Sequence, residues 1–166
     1  MEKEITIEEV SYENAEQARI LKACLENWFK NPKDLQLTSP KVPYPFKFKN
    51  WIDISYLKLE SVTYILKKDD WIIGHISIQL RPQFNSIHIF HVFIDRENRR
   101  RGYSKLLVNK ALEYAKNHQF NKVTLAVNQN NSIAIELYTN YGFELVGKNK
   151  IGSFKMELNI SKSKNQ

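Results

Sequence analysis

The stretch IHIFHVFI at residues 87–94 limits the possible folds more than any other part of the chain. Side chains alternate across a strand, so Ile87, Ile89 and Phe93 point one way while Phe90, Val92 and Ile94 point the other. Both faces are then apolar, and such a strand belongs in the interior of a sheet with a layer on each side. A polar, arginine-rich turn follows it. Beyond the turn, Tyr103, Leu107, Ala111, Tyr114 and Ala115 recur at helical spacing, and residues 122–127 read as a further short strand. A strand, helix, strand succession implies local parallel pairing.

The remaining elements are mostly antiparallel material. Residues 5–10 alternate like a strand, and Ala18, Leu21, Leu25 and Trp28, with Cys24 beside them, step at helical spacing. Residues 61–66 and 71–80 are rich in β-branched and aromatic side chains around the polar turn Lys67-Lys68-Asp69-Asp70, which predicts a hairpin. Residues 74–81 alternate so as to give one buried and one wetter face. Asn131 starts a second helix through Ile133, Leu137 and Tyr141, and Gly142 ends it. Residues 143–146 and 151–158 close the chain as strands. Four of the five prolines, Pro32, Pro40, Pro43 and Pro45, fall between Asn31 and Asn50, so that stretch reads as a long irregular connection of the kind that often carries function.

Composition excludes several classes. At 166 residues a single domain over residues 1–160 buries enough surface for a core without metal or disulfide support, leaving 161–166 as a polar, disordered tail. The lone Cys24 forms no internal disulfide, and no Cys/His set has metal-ligand spacing. No stretch reaches the roughly 18 to 20 apolar residues of a membrane span, and the start, Met1-Glu2-Lys3-Glu4-Ile5, is unlike a secretory signal, so a cytoplasmic protein that avoids membranes is expected. The net charge of +7 fits nucleic acid, an acidic membrane, an anionic cofactor and plain solubility alike, and names no partner by itself.

Two segments carry chemistry. In Ile94-Asp95-Arg96-Glu97-Asn98-Arg99-Arg100-Arg101-Gly102-Tyr103-Ser104 a strand runs into a helix N-terminus, where unpaired amides and the helix dipole favour phosphate. Gly102 permits positive φ or a close backbone approach, and three arginines add charge-assisted donors. On spacing alone the segment reads equally as a solvated basic turn. In the second segment Asn131, Ala134 and Tyr138 share one helix face, although Asn131 also makes a good N-cap and a tyrosine at that spacing is usually core.

Taken together, these segments resemble the GNAT superfamily of acetyl-CoA-dependent N-acetyltransferases, over about residues 71–158. Arg99, Gly102 and Ser104 match the acetyl-CoA motif, with Ser104 a small departure from its final Gly or Ala. Asn131, Ala134, Leu137-Tyr138 and Tyr141-Gly142-Phe143 match the later motif. The resemblance implies an α/β (α+β) fold with a mixed, mostly antiparallel central sheet, a splayed parallel strand pair and about four flanking helices. It implies acetyl-CoA as co-substrate, held by the backbone of Val92, Phe93 and Ile94, by amides of Arg99, Arg100, Arg101, Gly102, Tyr103 and Ser104, and by Asn131 and Ala134. It further implies that Tyr138 protonates the departing thiolate.

An attacking primary amine must lose a proton, and His88 stands where many members of the family place a glutamate for this purpose. A structural histidine is the competing reading. His91 falls on the opposite face by simple alternation, a parity that a β-bulge would reverse. The aromatic and lysine-rich residues 39–51 read as an acceptor-specificity loop or a packed surface loop, and in isolation as a base-stacking groove. Their lysines disfavour a polycationic acceptor unless Glu60, Asp69 or Asp70 lies nearer. The expected function is acetyl transfer to a small amine or a peptide N-terminus by direct attack in a ternary complex. The rival classes are a non-catalytic acetyl-CoA binder and a basic nucleic-acid module, whose footprint would spread along a face where these arginines cluster at one junction. Monomer and homodimer both remain open.

Overall fold

In the computed structural model, which describes residues 3–160, seven strands form one mixed sheet: β1 Ile5–Val10, β2 Ser61–Lys68, β3 Trp71–Arg81, β4 Ser86–Ile94, β5 Lys122–Val127, β6 Glu144–Lys148 and β7 Phe154–Asn159. Their spatial order is β1-β2-β3-β4-β5-β7-β6, and β4–β5 is the parallel pair among antiparallel neighbours. The expected polar tail, 161–166, lies outside the described residues. No helix among the described residues is long and apolar enough to cross a membrane.

Five helices flank the sheet: α1 Ala15–Trp28, α2 Pro32–Thr38, α3 Phe48–Ser55, α4 Tyr103–Asn117 and α5 Ser132–Tyr141. The stretch 31–50, expected to be irregular, therefore contains all of α2 and the first turn of α3. The proline signal was misleading because Pro32 sits at the start of its helix, where a missing N–H leaves no bond unmade, while the Asn31 side chain caps the turn by accepting from the Asp34 amide at 3.0 Å. One core lies between the sheet and α4 and α5, around Leu107, Ala111, Ile76, Ile87 and Ile89. A second, around Trp28, Phe29, Leu35, Trp51 and Phe93, joins α1, α2 and α3 to the other face.

The most consequential irregularity is a bulge in β4. Pairing with β3 passes from Ser77↔Phe90 to His75↔Phe93, so His91 and Val92 stand opposite Ile76 alone, and His91 takes φ 52°. A left-handed, non-glycine residue costs of order 1 kcal/mol or more and persists only where its surroundings fix it. The bulge corrects the strand parity read from alternation: Phe93 packs with Trp28 and Phe29, while Val92 and Ile94 join the α4 core. It also turns His91 to the same sheet face as His88. The face of β3 expected to be wetter is polar but covered, with His75 and Ser77 1% and 0% exposed.

Candidate active site

The parallel pair separates along its length. β4 and β5 are bonded from Ser86↔Lys122 to Ile89↔Leu125, and beyond that point β4 keeps its β3 partner while its other edge has no strand partner among the described residues. β5 meanwhile runs on to Val127 against β7. The backbone of Val92, Phe93 and Ile94 thus borders a wedge-shaped gap, as required of residues that bond to an extended ligand arm.

At the end of β4 the chain enters α4 through a loop in which Arg100 has φ 65° and Gly102 φ 79°. A Cβ at Gly102 would meet nothing within 4 Å, so the glycine answers the positive φ and not a close approach. Among the described residues, the amides of residues 100–104 donate to no protein acceptor. Five consecutive donors at a helix N-terminus make a ready cradle for a diphosphate. Arg99 contributes differently. Its Nε donates to the Ile94 carbonyl at 2.8 Å, its guanidinium lies 3.3 Å from the buried Asp34 and over the Phe93 ring, and Arg96 meets the same carboxylate at 2.9 Å. Its side chain therefore fastens the loop to α2, and Arg100 and Arg101 remain exposed to meet an anion.

The second motif converges on the same edge, because α4 and α5 each begin beyond the C-terminal end of a strand of the parallel pair. Asn131 caps α5, its Oδ1 accepting from the Ala134 amide at 3.2 Å. Tyr141, part of the Tyr141-Gly142-Phe143 match, shares its one hydroxyl proton between Asn109 Oδ1 at 2.7 Å and the Lys105 carbonyl at 3.1 Å, tying the two helices together. Ala134 is half-buried beside this core. Tyr138 is 6% exposed and edge-on to Phe143, and its hydroxyl has no hydrogen-bond partner among the described residues. Burial holds its phenol well above the usual tyrosine range, so it remains a proton donor.

On the opposite face of the sheet, between β4, β5, β7 and residues 37–41, lies a cleft of about 700 Å³ lined by His88 and, at its edge, His91. His88 Nδ1 is 2.7 Å from Thr124 Oγ1, whose hydroxyl faces the Ile87 carbonyl at 3.5 Å. With the hydroxyl proton on that carbonyl, Nδ1–H donates to Thr124 and Nε2 keeps its lone pair. Burial first, then Arg81 and Lys41, pull the imidazole down to about 3. His91 is locked beneath: its ring stacks on Trp51 at 3.8 Å, with Nδ1 2.8 Å from Tyr56 Oη and Nε2 2.8 Å from Ser39 Oγ. Below the bulge, His75 Nδ1–H donates to the His91 carbonyl at 2.7 Å, leaving Nε2 to accept from Tyr12, which itself accepts from Trp51 Nε1. Tyr12, Trp51 and Tyr56 had no motif to mark them; the polar alternation of His75 and Ser77 was the one hint. The aromatics Phe46 and Trp51 pack inward on each other and on Phe29, so the buried Trp51 is not offered to a stacking base.

The fold is shared with solved N-acetyltransferase structures. The PaiA N-acetyltransferase of Thermoplasma acidophilum, solved in complex with coenzyme A, is similar over 94% of this chain and 99% of its own, with a TM-score of 0.69 at 18% identity. The chain belongs to the acetyltransferase (GNAT) family, whose model matches residues 22–143. An L-amino acid N-acetyltransferase of Escherichia coli (strain K12) is 31% identical over 85 residues, 49% of this chain and 52% of that protein. N-acetyltransferase 8 of Homo sapiens is 34% identical over 62 residues, 37% of this chain and 27% of that protein. The matches thus span between about a quarter and a half of those relatives' lengths.

Proposed function

We propose that the protein transfers the acetyl group of acetyl-CoA to a primary amine by direct attack within a ternary complex. The strongest support is the unpaired β4 edge leading straight into five free amides at the α4 N-terminus: an extended arm ending in a diphosphate fits that succession, and family membership makes acetyl-CoA the co-substrate. When bound, acetyl-CoA supplies an activated acyl group as a thioester. The amides of residues 100–104, Arg100 and Arg101 hold negative charge at the loop, and backbone donors of β4 stabilise charge developing on an oxygen in the gap. Tyr138 Oη delivers a proton to the departing sulfur. The proton that the amine loses as its nitrogen bonds the acyl carbon and the C–S bond breaks leaves through a water hydrogen-bonded to His88 Nε2, and the Tyr138 phenol regains its proton from water.

Acetyl-CoA is expected to raise the melting temperature, and reversing Arg100 and Arg101 to glutamate is expected to cut the shift at fixed ligand by raising Kd about 10-fold or more. Thiol release on adding amines then tests catalysis. A shift without thiol release from any amine would leave a binding protein, and no shift at saturating ligand would remove the co-substrate.

His88 is neutral throughout the physiological range, because burial, and after it Arg81 and Lys41, oppose its charging. His88→Gln is therefore expected to lower kcat/KM by about 10-fold without moving the midpoints of its pH profile between pH 5 and 9. Loss of a limb near pH 6.5 in the variant would instead make His88 the titrating base.

A further inference from the structure

The open face of the sheet carries charge for which acetyl transfer alone has no use. In the strand register Gln79, His88, Thr124 and Glu157 form one cross-strand row, and Arg81, Ser86 and Lys122 form the next. Neighbouring strands lie about 4.8 Å apart, so the backbones of Arg81 and Lys122 flank Ser86 at a separation of roughly 10 Å. Glu157 is the one acidic side chain among the residues lining the cleft, and it is paired with Lys122 at 3.2 Å. Glu60, Asp69 and Asp70 do not line it. Arg81 is half-buried against the neutral Gln79 oxygen at 3.1 Å and makes no ion pair among the described residues; nor do Lys41 and Lys155 at the rim. A guanidinium partly withdrawn from water with only a neutral partner is best completed by a carboxylate, which its planar fork binds through two hydrogen bonds.

Resting on the acetyl-transfer reading, we propose that the acceptor is an extended primary amine carrying a carboxylate roughly 13 Å from its nitrogen, held over Ser86 between Arg81 and Lys122. The distance follows from where the gap opens. Beyond Ile89 the strands part, so the amine meets the thioester near Phe90, four residues from Ser86 at about 3.3 Å each. An extended peptide covers that span in three to four residues. A peptide N-terminus with an acidic side chain at its fourth position has this form; a free amino acid is too short, and a polyamine brings the wrong charge.

The test compares two tetrapeptide amides, three alanines followed by glutamate or by glutamine, with free glutamate as a third acceptor. The glutamate peptide is expected to exceed the glutamine peptide by about 10-fold or more in kcat/KM, chiefly through KM, and to bind more tightly by calorimetry in the presence of coenzyme A. Arg81→Gln should bring the ratio close to one, and Arg81→Lys should restore part of it. Equal use of the two peptides, an unchanged ratio in Arg81→Gln, or free glutamate matching the glutamate peptide would each overturn the proposal while leaving acetyl transfer standing. Absence of thiol release both with these acceptors and with simple amines would overturn the acetyl-transfer reading instead, and calorimetric preference alone would then decide the anion site.

Discussion

Tyr138→Phe is expected to lower kcat by about 100-fold or more while leaving the Kd for acetyl-CoA within a factor of two to three, since a positioned general acid contributes roughly 10²–10⁴. The separation follows from where the two jobs are done. In the proposed reading cofactor affinity rests on the amides of residues 100–104, whereas the Tyr138 hydroxyl is an unpartnered group in an apolar setting. Phenylalanine preserves the edge-on contact with Phe143, so the fold loses neither packing nor an internal hydrogen bond, and stability should change by under about 0.5 kcal/mol. Single-turnover kinetics with calorimetric Kd values provide the check. Unchanged turnover would exclude Tyr138 from proton transfer, and a parallel loss of affinity would make it a binding residue.

The parts of the fold that local rules govern were legible in the sequence. Strand β1, the β2–β3 hairpin, the parallel β4–β5 unit and the Asn131-to-Gly142 helix all follow from periodicity, capping and turn chemistry, which act within a few residues. The conformation of the loop into α4 was legible as well, because a glycine in the left-handed region and a helix start are local events. The β4 bulge was not. His91 adopts φ 52° because Trp51 stacks on its ring and because Tyr56, Ser39 and His75 bond to it, and these partners come from separate segments of the chain. Alternation alone therefore placed Phe93 on the wrong face. Arg99 is a similar case: its motif position suggests a donor to phosphate, but its side chain is held by Asp34 of α2, a helix that the prolines of residues 31–50 conceal. The charge of the cleft was equally hidden, since Arg81 and Lys122 are neighbours of Ser86 only through strand register.

The same buried histidines are expected to make the protein unstable in mild acid. In the folded state burial pulls His75 down to about 4, His88 to about 3 and His91 well below the ordinary value of 6.5. Between those values and 6.5 the unfolded chain binds more protons than the folded one, so stability is full above about pH 7 and falls as pH drops through 6.5 towards 4. At about 1.4 kcal/mol per pH unit, His75 alone would remove roughly 3 kcal/mol by pH 4, against a typical total of about 5–15. Urea unfolding at pH 7.5, 6.5, 5.5 and 5.0 gives the slope, and up to three protons should be taken up on unfolding. Carboxylates titrate mainly below this window, so a flat stability from pH 7.5 to 5.0 would contradict the burial of all three rings. Because His75 and His91 are covered by Trp51 and Tyr56, hydrogen exchange in α3 should rise with acid before exchange in α4, whose contacts with the sheet are apolar.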